Sequence, residues 1–161
     1  MKFNDAFTLL IDNEGKLSID PKDPGNWTGG KVGKGVMKGS KYGVSAASYP
    51  DLDIKNITLQ DAKDIYLKDY WIDGAPDEIA FDLFDTSVNS GKTKAVKLLQ
   101  QTVGTEIDGK LGPLTLSRCK TIKNLKAKYN ANRLLFMTDC TIWESQGKGW
   151  ARRIAHNLLL D

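Results

Sequence analysis

Apolar residues return at helical spacing from the start of the chain. Phe3, Phe7, Leu10 and Ile11 share one face of a helix predicted over residues 3–14, with Asn4 or Asp5 placed to cap it and Gly15 to end it. Glu14 falls on the same face, three and four positions after Ile11 and Leu10, which delivers its carboxyl toward the core side at the last turn. The pattern then breaks. Eight of the fifteen glycines, with Pro21, Pro24 and Trp27, lie between residues 15 and 43, a loop and hairpin region and the only plausible β element.

Helical patterning resumes at Thr58, which opens a T-x-x-D box for a helix running through Tyr70, with Leu59, Ala62, Ile65 and Tyr66 on one side. Residues 77–90 carry Ile79, Ala80, Phe81, Leu83, Phe84 and Val88 on most faces of one turn after another, the mark of a central buried helix stopped by Gly91. Further helices are predicted at 92–103, ended by Gly104, at a short stretch begun by Pro113, at 121–137 and at 148–160. At 161 residues and 40% hydrophobic content the chain supports one sizeable core, so a single domain over 1–161 is expected. No run approaches the roughly 18 apolar residues of a membrane span, and the first stretch carries acids within its short apolar run, so neither an anchor nor a signal peptide is expected.

Composition narrows the chemistry. The chain holds one histidine, His156, and two cysteines, Cys119 and Cys140, with 20 residues between them and no C-x-x-C pair. Zinc sites and Ser-His or Cys-His catalysis need more than that, so no metal or cofactor is expected and carboxylates must do any acid-base work. The cysteines read as free thiols of a protein made in the cytoplasm, although a fold that brought them together would let them pair. A net charge of +3 is too mild for a dedicated nucleic-acid binder and suits an anionic polymer. Charge concentrates in residues 16–41, where Lys16, Lys22, Lys31, Lys34, Lys38 and Lys41 face only Asp20 and Asp23. That run reads either as a contact surface for an anionic polymer or as a solvated loop.

Glycosidic cleavage needs one carboxyl that stays protonated near neutral pH and usually a second, ionised acidic group. Glu14 suits the first role, because an apolar helix face disfavours the charged form and the C-terminal end of a helix dipole pushes the same way. Asp23, nine positions later in the bend D-P-K-D-P-G, is solvated and complementary to it, and Asp20 is a second candidate. Trp27, Tyr42, Tyr70 and Trp71 offer faces for pyranose rings, and Asn89 offers hydrogen bonds to an N-acetyl or hydroxyl group; core packing is the commoner fate of Tyr70 and Trp71.

The order of helix, E-G, D-P-x-D-P-G and S-K-Y-G-V resembles the signature of glycoside hydrolase family 108, E-G-G-Y-x-x-D-P-x-D-P-G-G-x-T-K-Y-G-I, found in phage endolysins and bacterial N-acetylmuramidases. Residues 65–71 (IYLKDYW), 84–91 (FDTSVNSG), 95–116 (AVKLLQQTVGTEIDGKLGPLTL) and 149–153 (GWARR) resemble later segments of that family, so the likeness spans nearly the whole chain. The block at 95–116 also resembles peptidoglycan-binding modules. The resemblance implies a mainly α (α+β), lysozyme-like fold: a small glycine-rich hairpin lobe and a helical lobe, with Glu14 entering the cleft between them. Residues 1–90 would form the catalytic part and 91–161 a C-terminal helical part. It implies hydrolysis of the β-1,4 bond between N-acetylmuramic acid and N-acetylglucosamine by a monomer. Glu14 would be the acid, Asp23 the second carboxylate, and Ser40, which aligns with the family's Thr before K-Y-G, a third catalytic residue. Thr28 competes with Ser40 through the looser E-x8-D-x5-T spacing of phage-type lysozymes and joins Trp27, Lys41, Tyr42, Tyr70, Trp71 and Asn89 as a candidate sugar contact. The implied setting is a phage or prophage endolysin that accumulates in the host cytoplasm and reaches the wall after another protein opens the membrane. A non-catalytic wall-binding protein and a bacterial hydrolase that clears wall for secretion are the alternatives. The chain departs from the family pattern at Lys16, which stands where the second Gly is usual, and in residues 26–39, which look inserted before K-Y-G.

Overall fold

The computed structural model describes residues 1–11 and 17–160, arranged as two compact units, one of Phe3–Asp69 and one of Tyr70 onward with Met1–Lys2. Glu14 and Lys16 lie outside the described residues.

In the first unit, α1 (Phe3–Ile11) begins before its expected caps, so Asn4 and Asp5 sit inside the first turn, where the Thr8 hydroxyl donates back to the Asn4 carbonyl at 3.0 Å. Its buried face meets α2 (Leu59–Asp69) through Phe7 and Tyr66, whose rings lie edge-on at 5.6 Å. The expected capping box starts α2: the Thr58 N–H donates to Asp61 at 2.7 Å and the Asp61 N–H to the Thr58 hydroxyl at 3.1 Å. Strands β1 (Ser40–Lys41) and β2 (Val44–Ser45) pair antiparallel with Ser40 opposite Ser45. The hairpin therefore runs past residue 43, because Val44 is buried with Ala46, Ile54, Ile57 and Ala62 and carries the chain into this unit's core. Isolated bridges at Ser18 to Ser40 and Trp27 to Met37 extend the pairing backward through the glycine-rich segment.

The second unit is helical: α3 (Ala80–Ser90), α4 (Lys92–Val103), α5 (Pro113–Cys119), α6 (Leu125–Thr138) and α7 (Trp143–Leu159). The predicted stops at Gly91 and Gly104 hold, with φ of +84° and +71°. Ile79, Leu83, Leu99, Val103, Leu125 and Tyr129 form the core, and Cys119 is a buried free thiol within it; Cys140 is also free. Helix α6 starts four residues later than its periodicity suggests, at Leu125, after Asn124 in the left-handed region (φ +56°). Helix α7 starts five residues earlier than expected. Gly147 lies within it, where a Cβ would come 2.6 Å from the Trp143 ring, so this glycine admits an aromatic ring against the helix.

Helix α3 also buries two carboxylates. Asp85 is met by Arg133 of α6 at 2.7 Å and by Arg153 and Asn157 of α7, the last at 2.8 Å. Burial would lift this carboxyl, but the two arginine charges and their hydrogen bonds outweigh it and hold it below the ordinary range. Asp82, one turn earlier, receives a hydrogen bond from Asn130 at 2.7 Å, and burial pushes it up to about 6 despite that bond and the charges of Lys126 and Arg133.

The two carboxyls load stability oppositely with pH. A raised Asp82 binds its proton more tightly folded than unfolded, so its contribution is present below the ordinary value of 3.8 and is lost as pH rises through about 6. The lowered Asp85 contributes above the ordinary carboxyl range and loses its contribution as pH falls. Asp82→Asn keeps an acceptor for Asn130 and removes the titration. Urea denaturation from pH 4 to pH 7.5 is expected to show the variant gaining on the wild type by on the order of 2 kcal/mol across that window; a constant difference would assign Asp82 no such role.

Candidate functional site

The bend holding Asp20 and Asp23 is built by its own side chains. The Asp20 carboxylate accepts the Lys22 N–H at 2.9 Å, and Asp23 accepts the Gly25 N–H at 2.8 Å, capping the 3₁₀ turn Pro24–Asn26. The Trp27 indole N–H crosses the bend to the Pro21 carbonyl at 2.9 Å. Asn26 lies at the centre, fully buried. Its side-chain amide donates to the Asp20 carbonyl at 3.0 Å and lies 3.5 Å from the Ser18 hydroxyl, and its main-chain carbonyl accepts both the Lys38 and Gly39 N–H groups at 3.0 and 3.1 Å. Ser18 in turn exchanges backbone hydrogen bonds with Ser40 at 2.8 and 2.9 Å. Asn26 thereby ties Asp23, at the exposed bend, to Ser40, half-buried in β1.

Between β1 and β2 the loop is only Tyr42–Gly43, and both residues have positive φ, +52° and +73°, the signature of a type I′ hairpin. Gly accepts that conformation freely; Tyr does not, and a bulky residue held there costs on the order of 1 kcal/mol. Tyr42 lines a groove of about 640 Å³ with Phe7, Thr8, Ile11, Leu59, Gln60 and Lys63. That volume is within the range of small-ligand clefts, and Ile11 on its wall stands three positions before Glu14 in the chain. A second hollow of about 430 Å³ carries Asp53, Asp61 and Asp64 on its rim, a charge unsuited to a polymer that bears carboxylates.

Not every lysine of the basic segment faces water. The Lys38 ammonium donates to the Pro50 and Leu52 carbonyls at 2.6 and 3.3 Å. The Lys41 ammonium donates to the Lys55 and Ile57 carbonyls at 3.1 and 2.9 Å and lies 5.3 Å from the Tyr42 ring centre. Both act as staples across the loop before α2. The Thr28 hydroxyl accepts the Val36 N–H at 2.9 Å. Asp23, Trp27, Thr28, Ser40, Lys41 and Tyr42 thus share one compact unit, whereas Tyr70, Trp71 and Asn89 belong to the other. Trp71 packs edge-on against Phe84 at 5.6 Å, Tyr70 is half-buried, and Asn89 is exposed and accepts from the Ser90 hydroxyl at 3.2 Å. Sequence reasoning missed Asn26, whose only signal was an amide inside a proline-glycine bend, and missed Asp82 and Asp85, two acids on an otherwise apolar helix.

The described chain is mainly helical, with a short glycine-rich hairpin and two acids at a proline bend. Residues 7–91, more than half the chain, match the glycosyl hydrolase 108 family, and the protein belongs to that family. It is a peptidoglycan hydrolase of the glycosidase class with a lysozyme-like fold. Among solved structures it is similar to Brucella abortus SagA, with a TM-score of 0.78 and 26% identity over 96% of this chain and 90% of that one. No curated protein matches it.

Two substitutions test the local construction. Asn26→Ala leaves the Asp20 carbonyl without its buried donor and is expected to cost about 2 kcal/mol in chemical denaturation. Tyr42→Asn puts a residue tolerant of positive φ at the hairpin and is expected to raise stability by about 1 kcal/mol; an unchanged or lower midpoint would show that the tyrosine is not held under strain.

Proposed function

We propose that this protein is an N-acetylmuramidase that hydrolyses the β-1,4 bond between N-acetylmuramic acid and N-acetylglucosamine, with Glu14 as general acid. The observation that carries this reading is the family match over residues 7–91, which spans Glu14, the D-P-K-D-P-G bend and the S-K-Y-G segment in one block. In the proposed reaction the Glu14 carboxyl protonates the leaving oxygen, the Asp23 carboxylate activates water on the opposite face of the sugar, and the Ser40 hydroxyl helps hold that water. The groove beside Tyr42 receives sugar, with Tyr42, Trp27, Thr28 and Lys41 as the proposed contacts of the hairpin unit; Tyr70, Trp71 and Asn89 are proposed sugar contacts of the helical unit, taken by itself.

The proposed setting is a phage or prophage endolysin acting as a monomer on the wall after release from the host cytoplasm. No helix among the described residues is long and apolar enough to cross a membrane.

Digestion of purified sacculi followed by mass spectrometry is expected to yield reducing muramic ends; anhydro-muramic ends would indicate a transglycosylase, and binding without new ends a wall-binding protein. Glu14→Gln should remain folded and lose at least ~100-fold in rate, the lower end of what a general acid contributes. Near-normal activity would remove Glu14 from the mechanism. The water-activating role of Asp23 requires ~6.5 to 9.5 Å between the two carboxyls and gives inversion. NMR of freshly released ends is then expected to show the α-anomer first, and a β-anomer would make Asp23 a nucleophile or remove it from the reaction.

A further inference from the structure

Residues 28–38, TGGKVGKGVMK, include three lysines and no acid, and they form a built protrusion. The Thr28 N–H donates to the Val36 carbonyl at 3.0 Å, Gly29 N–H to Lys34 carbonyl at 3.1 Å, and the Lys34 N–H closes a turn onto Lys31 at 3.0 Å with Val32 and Gly33 at its corner. The two arms approach too closely for side chains at two positions. A Cβ on Gly29 would lie 2.6 Å from the Lys34 side chain and 2.8 Å from its carbonyl oxygen, and one on Gly35 would lie 2.2 Å from the Thr28 hydroxyl. Trp27 paired with Met37 closes the base.

This tight framework holds aliphatic side chains in water. Val32 is 56% exposed and Val36 61%, with Met37 at 40% beside them, while Lys31 and Lys34 are exposed on the same turn. Lys38 is spent on loop carbonyls, and the nearest acids in sequence, Asp20 and Asp23, belong to the bend before the protrusion. An isolated exposed valine is ordinary. Two valines and two lysines on a preorganised turn without a carboxylate make a tip with an apolar point and a cationic collar.

The geometry points to an anionic phospholipid surface as the partner of this tip: Val32 and Val36 enter the headgroup boundary while Lys31 and Lys34 reach the phosphates. Aliphatic side chains gain there by leaving water, long lysine stems keep their ammonium groups at the phosphate level, and a rigid turn loses little conformational entropy on docking. Glycan is the less suited partner, because the tip itself carries no aromatic ring for a sugar face, and the Trp27 N–H at its base is already donated within the bend.

The test is co-sedimentation of the full chain with phosphatidylglycerol–phosphatidylcholine vesicles, with pure phosphatidylcholine vesicles and with purified sacculi, at low and physiological salt. Each protein is checked by circular dichroism and thermal melting. The wild type is expected to bind the anionic vesicles and to lose most of that binding on pure phosphatidylcholine. K31Q/K34Q should weaken anionic-vesicle binding by roughly 30-fold, as expected for two lysines near such a surface, with the difference shrinking as salt rises. V32S/V36S should weaken it by about 10-fold with little dependence on salt. Folded variants that bind vesicles as the wild type does would overturn the inference, as would a wild type that ignores anionic vesicles. Variants that lose sacculus binding while the wild type shows no vesicle binding would assign the tip to the wall instead. The catalytic reading is separable, because none of these four residues belongs to the proposed reaction and digestion of soluble glycan fragments should be unchanged by either double variant.

Discussion

A carboxylate taken out of water must be met by charge or hydrogen-bond donors, and in the helical unit that requirement holds three helices in register. Asp85 of α3 gathers Arg133 from α6 and Arg153 and Asn157 from α7. Removing both arginines would leave the Asp85 charge buried and uncompensated, a penalty of several kcal/mol, so the cluster specifies how these helices meet more than it adds to net stability. Asp82 sits beside it and accepts from the Asn130 amide, and the resulting contrast is electrostatic: one carboxyl held low by two arginines, its neighbour lifted by burial. The family-like segments F-D-x-x-V-N and G-W-x-x-R each contribute to this cluster, through Asp85 and Arg153.

The hairpin unit solves a different problem with a neutral group. A segment with eight glycines and two proline bends has little side-chain surface to bury, so its order comes from the backbone, and Asn26 supplies the hub by substituting for strand neighbours on two sides. Lys38 and Lys41 add to this by capping loop carbonyls, using charge where a larger lobe would use a third strand. The hairpin loop then spends part of that stability on Tyr42, a bulky residue at positive φ whose ring lies in the groove wall. Strain at such a position is expected where display of a side chain matters more than the ease of the turn.

Local rules decided much of this in advance. Periodicity over 77–103, the glycine stops at 91 and 104, the Thr58–Asp61 capping box and Pro113 at a helix start all act through neighbours within four residues, so they are legible without tertiary context. The order of acids, bend and K-Y-G segment was equally legible and marked the family. Glu14 was a candidate through its position in the helix predicted over 3–14, and it lies outside the described residues.

Tertiary structure decided what local spacing could not carry. Gly147 breaks a helix in isolation but accepts the Trp143 ring here, so α7 runs five residues further toward its N-terminus. Lysines of a run that read either as a contact surface or as a solvated loop include two staples, Lys38 and Lys41, and an exposed tip, because the carbonyls that take Lys38 and Lys41 lie 12 to 16 residues away in sequence. Asn26 became a hub, and Asp85 a buried anchor, for the same reason. The energy of a polar group depends on whether a partner meets it out of water, and those partners are brought near only by the folded chain.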